Sequence, residues 1–97
     1  MNMQALMQQA QKMQREITKK KEELNSKEFT GESELVTVVF NGDKKMVSMT
    51  IKQDIENDDK EIIQDMVVIA TNDAMAKIDA ENEKVLGAYG SQLGGLF

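Results

Sequence analysis

The chain has 97 residues, of which 40% are hydrophobic and 30% are charged, and it carries a net charge of −5 with neither cysteine nor histidine. This length predicts one small domain over residues 1–97, and the missing residue types exclude disulfides, thiolate metal sites and a histidine general base. The longest uninterrupted apolar run, residues 66–70, is too short to cross a membrane, which predicts a cytoplasmic protein.

The charged residues are distributed unevenly along the chain. Residues 1–21 contain five basic residues and one acidic residue, whereas residues 53–86 contain ten acidic and three basic residues. An anionic partner is therefore expected to contact the N-terminal segment. The sequence pI of about 4.7 is low for a DNA-binding domain and by itself argues against that function.

The N-terminal segment has the apolar periodicity of a helix. Apolar residues recur at alternating steps of three and four, at Met3, Leu6, Ala10, Met13, Ile17 and Leu24. The pattern predicts a helix over residues 3–27, roughly 37 Å long, although Lys20 occupies a position at which the apolar line would continue. A domain of this size is too small to cover such a helix, so we expect part of it to project or to pack against a second copy.

Three extended segments are predicted to follow the helix. Residues 29–33 are expected to be extended, with a turn at 31–34. Residues 35–40 alternate as a strand, and Asn41-Gly42 is a strong hairpin signal because both residues tolerate positive φ. Residues 46–52 are predicted to form the returning strand, which completes an antiparallel sheet.

The predicted hairpin has one fully apolar face. A four-residue loop sets Val38 opposite Val47 and Val36 opposite Met49, which keeps the apolar side chains together. This face comprises Val36, Val38, Phe40, Val47, Met49 and Ile51. The second face still carries three apolar residues, Leu35, Val39 and Met46. We expect these three to contact a second copy in a homodimer.

The last predicted element is a helix over residues 58–86. Asp58, followed by Glu61, resembles a capping box at the positive end of the helix dipole. The apolar stripe expected to face the sheet consists of Ile62, Met66 and Ala70. Gly87 is expected to end the helix, and the Gly-rich residues 87–97 are expected to form a flexible tail.

Catalysis has little support in the sequence. The carboxylates after residue 53 lack a nucleophile or a base partner, and a solvated acidic face explains them better. The acidic segment 54–59 lacks the central Gly and closing Glu of an EF-hand loop, and the glycines match no phosphate-binding motif. We therefore predict a protein that is not an enzyme and that needs no metal or cofactor.

A basic stripe is the one group of residues with a clear binding use. Lys12, Arg15 and Lys19 are spaced i, i+3 and i+7, so they share one side of the first helix. Lys20 and Lys21 are expected to widen this stripe. Each cation neutralises a phosphate and releases counterions, which gives sequence-independent affinity for DNA.

The same helix is rich in glutamine. Gln8, Gln9, Gln11 and Gln14 supply amide groups for phosphates or base edges. Gln and Lys are also good helix formers, and Glu16 has the spacing to pair with Lys19 and Lys20. A solvated helix face is therefore an alternative to a DNA site.

Five segments of the chain carry a resemblance to a known family. They are Gln8-Gln9-Ala10-Gln11-Lys12-Met13-Gln14, Phe29-Thr30-Gly31-Glu32-Ser33, Val36-Thr37-Val38-Val39-Phe40-Asn41-Gly42, Asp58-Asp59-Lys60-Glu61 and Asn72-Asp73-Ala74. In this order and spacing, over residues 3–86, they resemble the YbaB/EbfC family of small bacterial nucleoid-associated proteins. The chain departs from the family in a shorter connection after Ser33 and in a tail without proline.

The resemblance implies an α+β subunit with the order α–β–β–β–α and a homodimer shaped like a pair of tweezers. It also implies a nucleoid-associated protein of the bacterial cytoplasm that binds duplex DNA, largely without sequence specificity, and alters the conformation of the DNA. The expected DNA-binding residues are Lys12, Arg15, Lys19, Lys20 and Lys21. An alternative function is a protein–protein adaptor that works beside DNA-repair or recombination proteins with little direct DNA contact.

Overall fold

The computed structural model describes residues 2–52 and 60–92. The elements, in chain order, are α1 (Met3–Ser26), β1 (Glu28–Glu32), β2 (Val36–Asn41), β3 (Met46–Ile51) and α2 (Lys60–Gln92). The strands form one antiparallel sheet in the order β1-β2-β3. The predicted α+β fold with the order α–β–β–β–α is confirmed.

Helix α1 is covered by the rest of the chain only toward its C-terminal end. The Asn2 side chain caps its first turn by accepting a hydrogen bond from the backbone N–H of Gln4 at 2.9 Å. Ile17 and Leu24 are buried, and α1 packs against α2. Every residue from 2 to 12 is exposed. The N-terminal part of α1 therefore projects, as its length predicts.

Helix α2 packs closely across β1 and β2 to form the core. The buried apolar cluster consists of Val36, Val38, Phe40, Ala70, Ala74 and Ile78. At Gly31 the approach is so close that a Cβ atom would lie 2.0 Å from the carbonyl oxygen of Ala70. Gly31 pairs with Val38 inside β1, so the prediction of a turn beginning at Gly31 is wrong. The turn lies later, where the Ser33 N–H donates to the Val36 carbonyl at 2.9 Å.

The hairpin between β2 and β3 has a different register from the predicted one. Val38 pairs with Met49 and Val36 with Ile51. Part of this shift comes from the loop, because the Asn41 N–H donates to the Lys45 carbonyl at 2.9 Å, which leaves three residues and not four between the paired positions. An irregularity beside Val39 and Phe40 inserts an extra residue and shifts the register by one more. The prediction that Val38 and Val36 lie opposite Val47 and Met49 is therefore wrong by two residues.

The positive φ in the hairpin turn belongs to Lys44, at 63°, and not to the Asn41-Gly42 pair. The Lys44 N–H donates to the Asn41 carbonyl at 3.0 Å. Glycine is required at position 42 because there is no room for a side chain: a Cβ atom there would lie 1.9 Å from the carbonyl oxygen of Leu24 in α1. The hairpin tip therefore packs directly on the C-terminal end of α1.

Strand β3 is not covered by α2. Within the described residues, α2 packs against β1 and β2 but not against β3. A helix is about 10 Å across and strands lie about 4.8 Å apart, so one helix covers about two strands. All six residues of β3 are exposed, among them Met49 at 48% and Ile51 at 43%. The prediction that Val47, Met49 and Ile51 pack against the second helix is wrong. The prediction that Ile62 of that helix faces the sheet is also wrong, since Ile62 is 48% exposed, whereas Met66 and Ala70 pack as predicted.

Helix α2 continues beyond its predicted end. It runs through Gly87 to Gln92, so the prediction that Gly87 ends the helix is wrong. A helical Gly costs about 1 kcal/mol relative to Ala, which packing of the surrounding residues offsets. Val85, Leu86 and Tyr89 are half-buried in this segment. The predicted start at Asp58 and residues 93–97 of the predicted tail lie outside the described residues.

Candidate nucleic-acid interface

The structure places Lys12, Arg15 and Lys19 on one exposed side of α1. Successive helical residues are rotated by about 100°, so these three lie within an arc of about 60°. The buried side chain of Ile17 points to the opposite side, toward the body of the subunit. We name these three residues the basic stripe. It faces solvent along the middle of α1, between the projecting end and the covered end.

Lys20 and Lys21 lie off this stripe. Lys20 is about 100° from Lys19 around the helix, and Lys21 is about 200° from it. The Lys20 Nζ lies 3.7 Å from a carboxylate oxygen of Glu23. Both side chains are exposed, but they flank the side of α1 that carries Ile17. The five predicted residues therefore do not form a single patch.

The cations of the stripe are not neutralised by neighbours within the described residues. The lysines that form ion pairs there are Lys20, Lys27, Lys44, Lys45 and Lys77. Lys12, Arg15 and Lys19 are absent from this set, and the predicted pairing of Lys19 and Lys20 with Glu16 is not observed in residues 2–52 and 60–92. The charges of the stripe are thus available to an anionic ligand.

Uncharged polar side chains lie along one side of the stripe. A shallow, open depression on α1 is lined by Gln11, Gln14, Arg15, Thr18, Lys19 and Glu22. Its amide, hydroxyl and guanidinium groups are the types that bind phosphate oxygens and base edges. Thr18 is not among the predicted residues, although its spacing of three from Arg15 places it nearby. Glu22 adds a negative charge at the end of the depression closest to the sheet.

The fold brings two further lysines near the C-terminal end of α1. The Gly42 N–H donates to the Lys27 carbonyl at 3.0 Å, so the hairpin tip with Lys44 and Lys45 lies beside that end. Lys44 pairs with Asp79 at 3.4 Å and Lys45 with Asp43 at 3.8 Å. The sequence alone does not indicate that Lys44 and Lys45 lie near α1, because this proximity depends on a tertiary contact. Their carboxylate partners reduce their attraction for phosphate.

The acidic residues of α2 are mostly solvated, as predicted. Glu61, Asp65, Asp79 and Glu83 are exposed. Asp73 has a structural role, because its carboxylate accepts the Glu32 N–H at 3.0 Å and lies 3.2 Å from the Lys77 ammonium. The Glu32 hydrogen bond, followed by Lys77, lowers the pKa of Asp73 below its ordinary value. Asp73 thus fastens β1 to α2 and is not a candidate for catalysis.

Residues 2–52 and 60–92 contain neither a cluster of metal-ligating side chains nor a helix suited to cross a membrane. The acidic side chains form no group of three or more that is arranged to hold a metal ion. Neither helix combines the length and the apolar character that a membrane crossing needs.

Known proteins resemble this chain over nearly its whole length. The model of the YbaB/EbfC DNA-binding family matches residues 1–93. A nucleoid-associated protein of Enterococcus faecalis is 48% identical over 91 residues, which cover 91% of this chain and 88% of the relative. One from Streptococcus suis is 46% identical over 96 residues, covering 96% and 97%. A crystal structure of an uncharacterized Helicobacter pylori protein has a TM-score of 0.75 at 28% identity, covering 92% of this chain and 96% of that one.

Proposed function

Because the chain belongs to the YbaB/EbfC DNA-binding family, we propose that it is a nucleoid-associated protein of the bacterial cytoplasm that binds duplex DNA through α1. The observation that carries this proposal is the basic stripe, whose three cations are exposed on a projecting helix and unpaired within the described residues. Lys20 and Lys21 lie off the stripe and contribute less, since they flank the side of α1 that carries Ile17.

Phosphate contacts supply most of the affinity. Each stripe cation that neutralises a phosphate releases counterions, so binding is largely independent of sequence and falls steeply with salt. The expected dissociation constant is about 10⁻⁴–10⁻⁶ M at physiological salt, the range of non-specific binders. The exposed carboxylates of α2 repel DNA and so confine it to α1.

A homodimer provides two such helices. Large apolar side chains are uncovered on α1, β3 and α2, and β3 carries four of them within the described residues, including Met46 at 46% exposed and Val47 at 54% exposed. The strand also has a free edge, which proteins normally pair or cover. We place the contact between two copies at β3, on the side that faces α2. This differs from the sequence-based expectation, since Leu35 packs against the core cluster of its own subunit.

In such a dimer the two α1 helices act as the arms of a pair of tweezers. The subunit is elongated, with extents of 70 × 20 × 13 Å, and residues 2–12 of its first helix are all exposed. Two arms that straddle one duplex hold it by phosphates on both sides. The strain of fitting the duplex between the arms alters its conformation, at a cost that the added phosphate contacts offset.

The proposal is tested by removing the charges of the stripe. Lys12, Arg15 and Lys19 are changed together to Gln, which preserves helix propensity. The variant should stay folded, lose most binding to random duplex and show a shallower dependence on salt in gel shifts between about 50 and 200 mM. A matched control changes Lys27, Lys44 and Lys45 to Gln. It removes the same total charge, but from lysines that form ion pairs with carboxylates of the subunit. Equal binding by the parent and the stripe variant at every salt concentration would refute the assignment.

A further inference from the structure

We infer that the projecting end of α1 enters the major groove of the duplex and that Gln4, Gln8 and Gln11 contact base edges there. This inference rests on the proposed DNA binding and adds to it a groove, a set of residues and a source of sequence preference.

The first observation is the shape of the projecting end. Residues 2–12 are all exposed, and even the apolar side chains of this segment are uncovered, with Met3 at 75% and Met7 at 59%. No other described element lies against them. A bare helix is about 10–12 Å across with its side chains, and the major groove is about 12 Å wide. The minor groove, at about 6 Å, is too narrow for it.

The second observation is a line of side chains that continues the basic stripe toward the tip. Gln4, Gln8, Gln11 and Arg15 lie within an arc of about 60° on the outer side of α1. They span roughly 16 Å along the helix axis, which corresponds to about five base-pair steps of 3.4 Å. The line therefore fits the length of groove that one helix can follow.

The third observation is the chemistry of this line. Glutamine amides bind adenine at N6 and N7, and arginine binds guanine at O6 and N7. All four side chains are exposed, and within the described residues the Gln4, Gln8 and Gln11 amides form no hydrogen bond to protein. Lys12 and Lys19 lie to one side of the line, where phosphates flank the groove. The tip thus combines groups for base edges with groups for phosphates.

The choice of the major groove is tested by measuring the affinity of the protein for three duplexes of the same mixed sequence. One is natural, one has 7-deazapurines that lack the major-groove N7 acceptor, and one has inosine for guanine, which lacks the minor-groove amino group. The parent should bind the natural and inosine duplexes equally and the 7-deazapurine duplex at least about fivefold more weakly, the lower bound for one lost base contact.

The residues are tested by changing Gln8 and Gln11 to Ala, singly and together, with Gln9→Ala as the matched control. Gln9 is at least about 100° away around the helix. The double variant should discriminate less strongly than the parent between the natural and 7-deazapurine duplexes, because only Gln4 and Arg15 remain to contact N7. It should keep the parent's salt dependence, and Gln9→Ala should behave as the parent does. None of these exposed positions contributes to the core.

The outcomes separate this inference from the proposed function. If the parent binds all three duplexes equally, or discriminates only against inosine, the major-groove inference is wrong while DNA binding stands. If the double variant discriminates against the 7-deazapurine duplex as strongly as the parent does, the residue assignment is wrong. If the parent binds no duplex, both the inference and the proposed function fail.

Discussion

Two glycines have opposite roles at the scale of single residues. A Cβ atom at Gly31 would lie 2.0 Å from the Ala70 carbonyl oxygen and 2.7 Å from the Ala74 nitrogen, both of them backbone atoms that cannot move without shifting α2. At Gly87 the nearest atom is the Cγ of Glu83 at 3.9 Å, in ordinary contact. The first glycine permits the packing of sheet on helix, and the second only weakens a helix.

Alanine at these two positions should therefore change stability in opposite directions. Gly31→Ala should lower the free energy of unfolding by about 1–3 kcal/mol or more, the cost of overpacking. Gly87→Ala should raise it by up to about 1 kcal/mol, because Ala has the higher helix propensity. Urea unfolding at one protein concentration measures both. A destabilised Gly87→Ala variant would contradict the continuous helix through this position.

Asp73 links the stability of the subunit to pH. Its pKa lies below the ordinary value of 3.8, chiefly because the Glu32 N–H donates to the carboxylate and because Lys77 lies beside it. A carboxylate whose pKa is lower in the folded chain stabilises the fold above its unfolded pKa. This contribution is lost as the pH falls through the folded value.

Asp73→Asn should therefore be less stable than the parent at neutral pH, and the difference should shrink as the pH falls below 3.8. Asparagine keeps an acceptor for the Glu32 N–H but loses the attraction to Lys77. Thermal unfolding between about pH 2 and pH 7 measures the difference. Asp65→Asn, which removes the same charge from an exposed position of α2, is the control. A difference that is constant over this range would show that the charge of Asp73 has no role.

At the scale of elements, the contact between α2 and the β1–β2 part of the sheet holds the fold together. Val38 is fully buried at the centre of this contact, whereas its neighbour Val39 lies on the other face and is half-buried. The two valines differ by one position in the chain and by the whole thickness of the sheet. They therefore provide a direct test of which face carries the core.

Val38→Asp should unfold the subunit, because an unpaired buried charge costs several kcal/mol. Val39→Asp should cost less, since water and neighbouring polar groups can reach the new carboxylate. Far-UV circular dichroism and melting curves of the two variants measure the effect. A Val38→Asp protein with the melting curve of the parent would rule out this packing.

At the scale of the whole molecule, the uncovered apolar side of β3 is the surface at which we expect two copies to meet. Three apolar residues of β3 pair with buried residues of β2, but no described helix of their own subunit covers them. They are Met46, Met49 and Ile51. A second copy related by a two-fold axis presents the same surface, so the two copies would cover each other's exposed apolar residues. In the proposed dimer, this contact would determine where the two projecting helices lie.

We predict a mass of about 22 kDa in sedimentation equilibrium at micromolar concentration, twice the 10.9 kDa of the chain. Met49→Lys should shift the protein to the monomer, because it places a charge in the contact while its exposed position leaves the subunit folded. Ser48→Lys, on the opposite face of the same strand, should remain dimeric. A parent mass of about 11 kDa would exclude the dimer, and a dimeric Met49→Lys variant would exclude this face.

Local pattern alone determined much of this fold. The spacing of Met13, Ile17 and Leu24 predicts the covered side of α1, and the alternation in residues 35–40 predicts which side of β2 is buried. Both follow from helix and strand periodicity, which depends only on near neighbours in the chain. The exposed position of Lys12, Arg15 and Lys19 follows from the same periodicity.

Tertiary contacts decided the rest. The use of Gly31 and Gly42 for close packing, the uncovered side of β3 and the continuation of α2 through Gly87 depend on residues distant in the chain. A turn signal at Gly42 does not reveal that α1 lies beneath it. A helix-stop signal at Gly87 is weak, at about 1 kcal/mol, and packing overrides it. Sequence periodicity thus identifies the side of each element that is apolar, and only the assembled fold determines whether that side is covered.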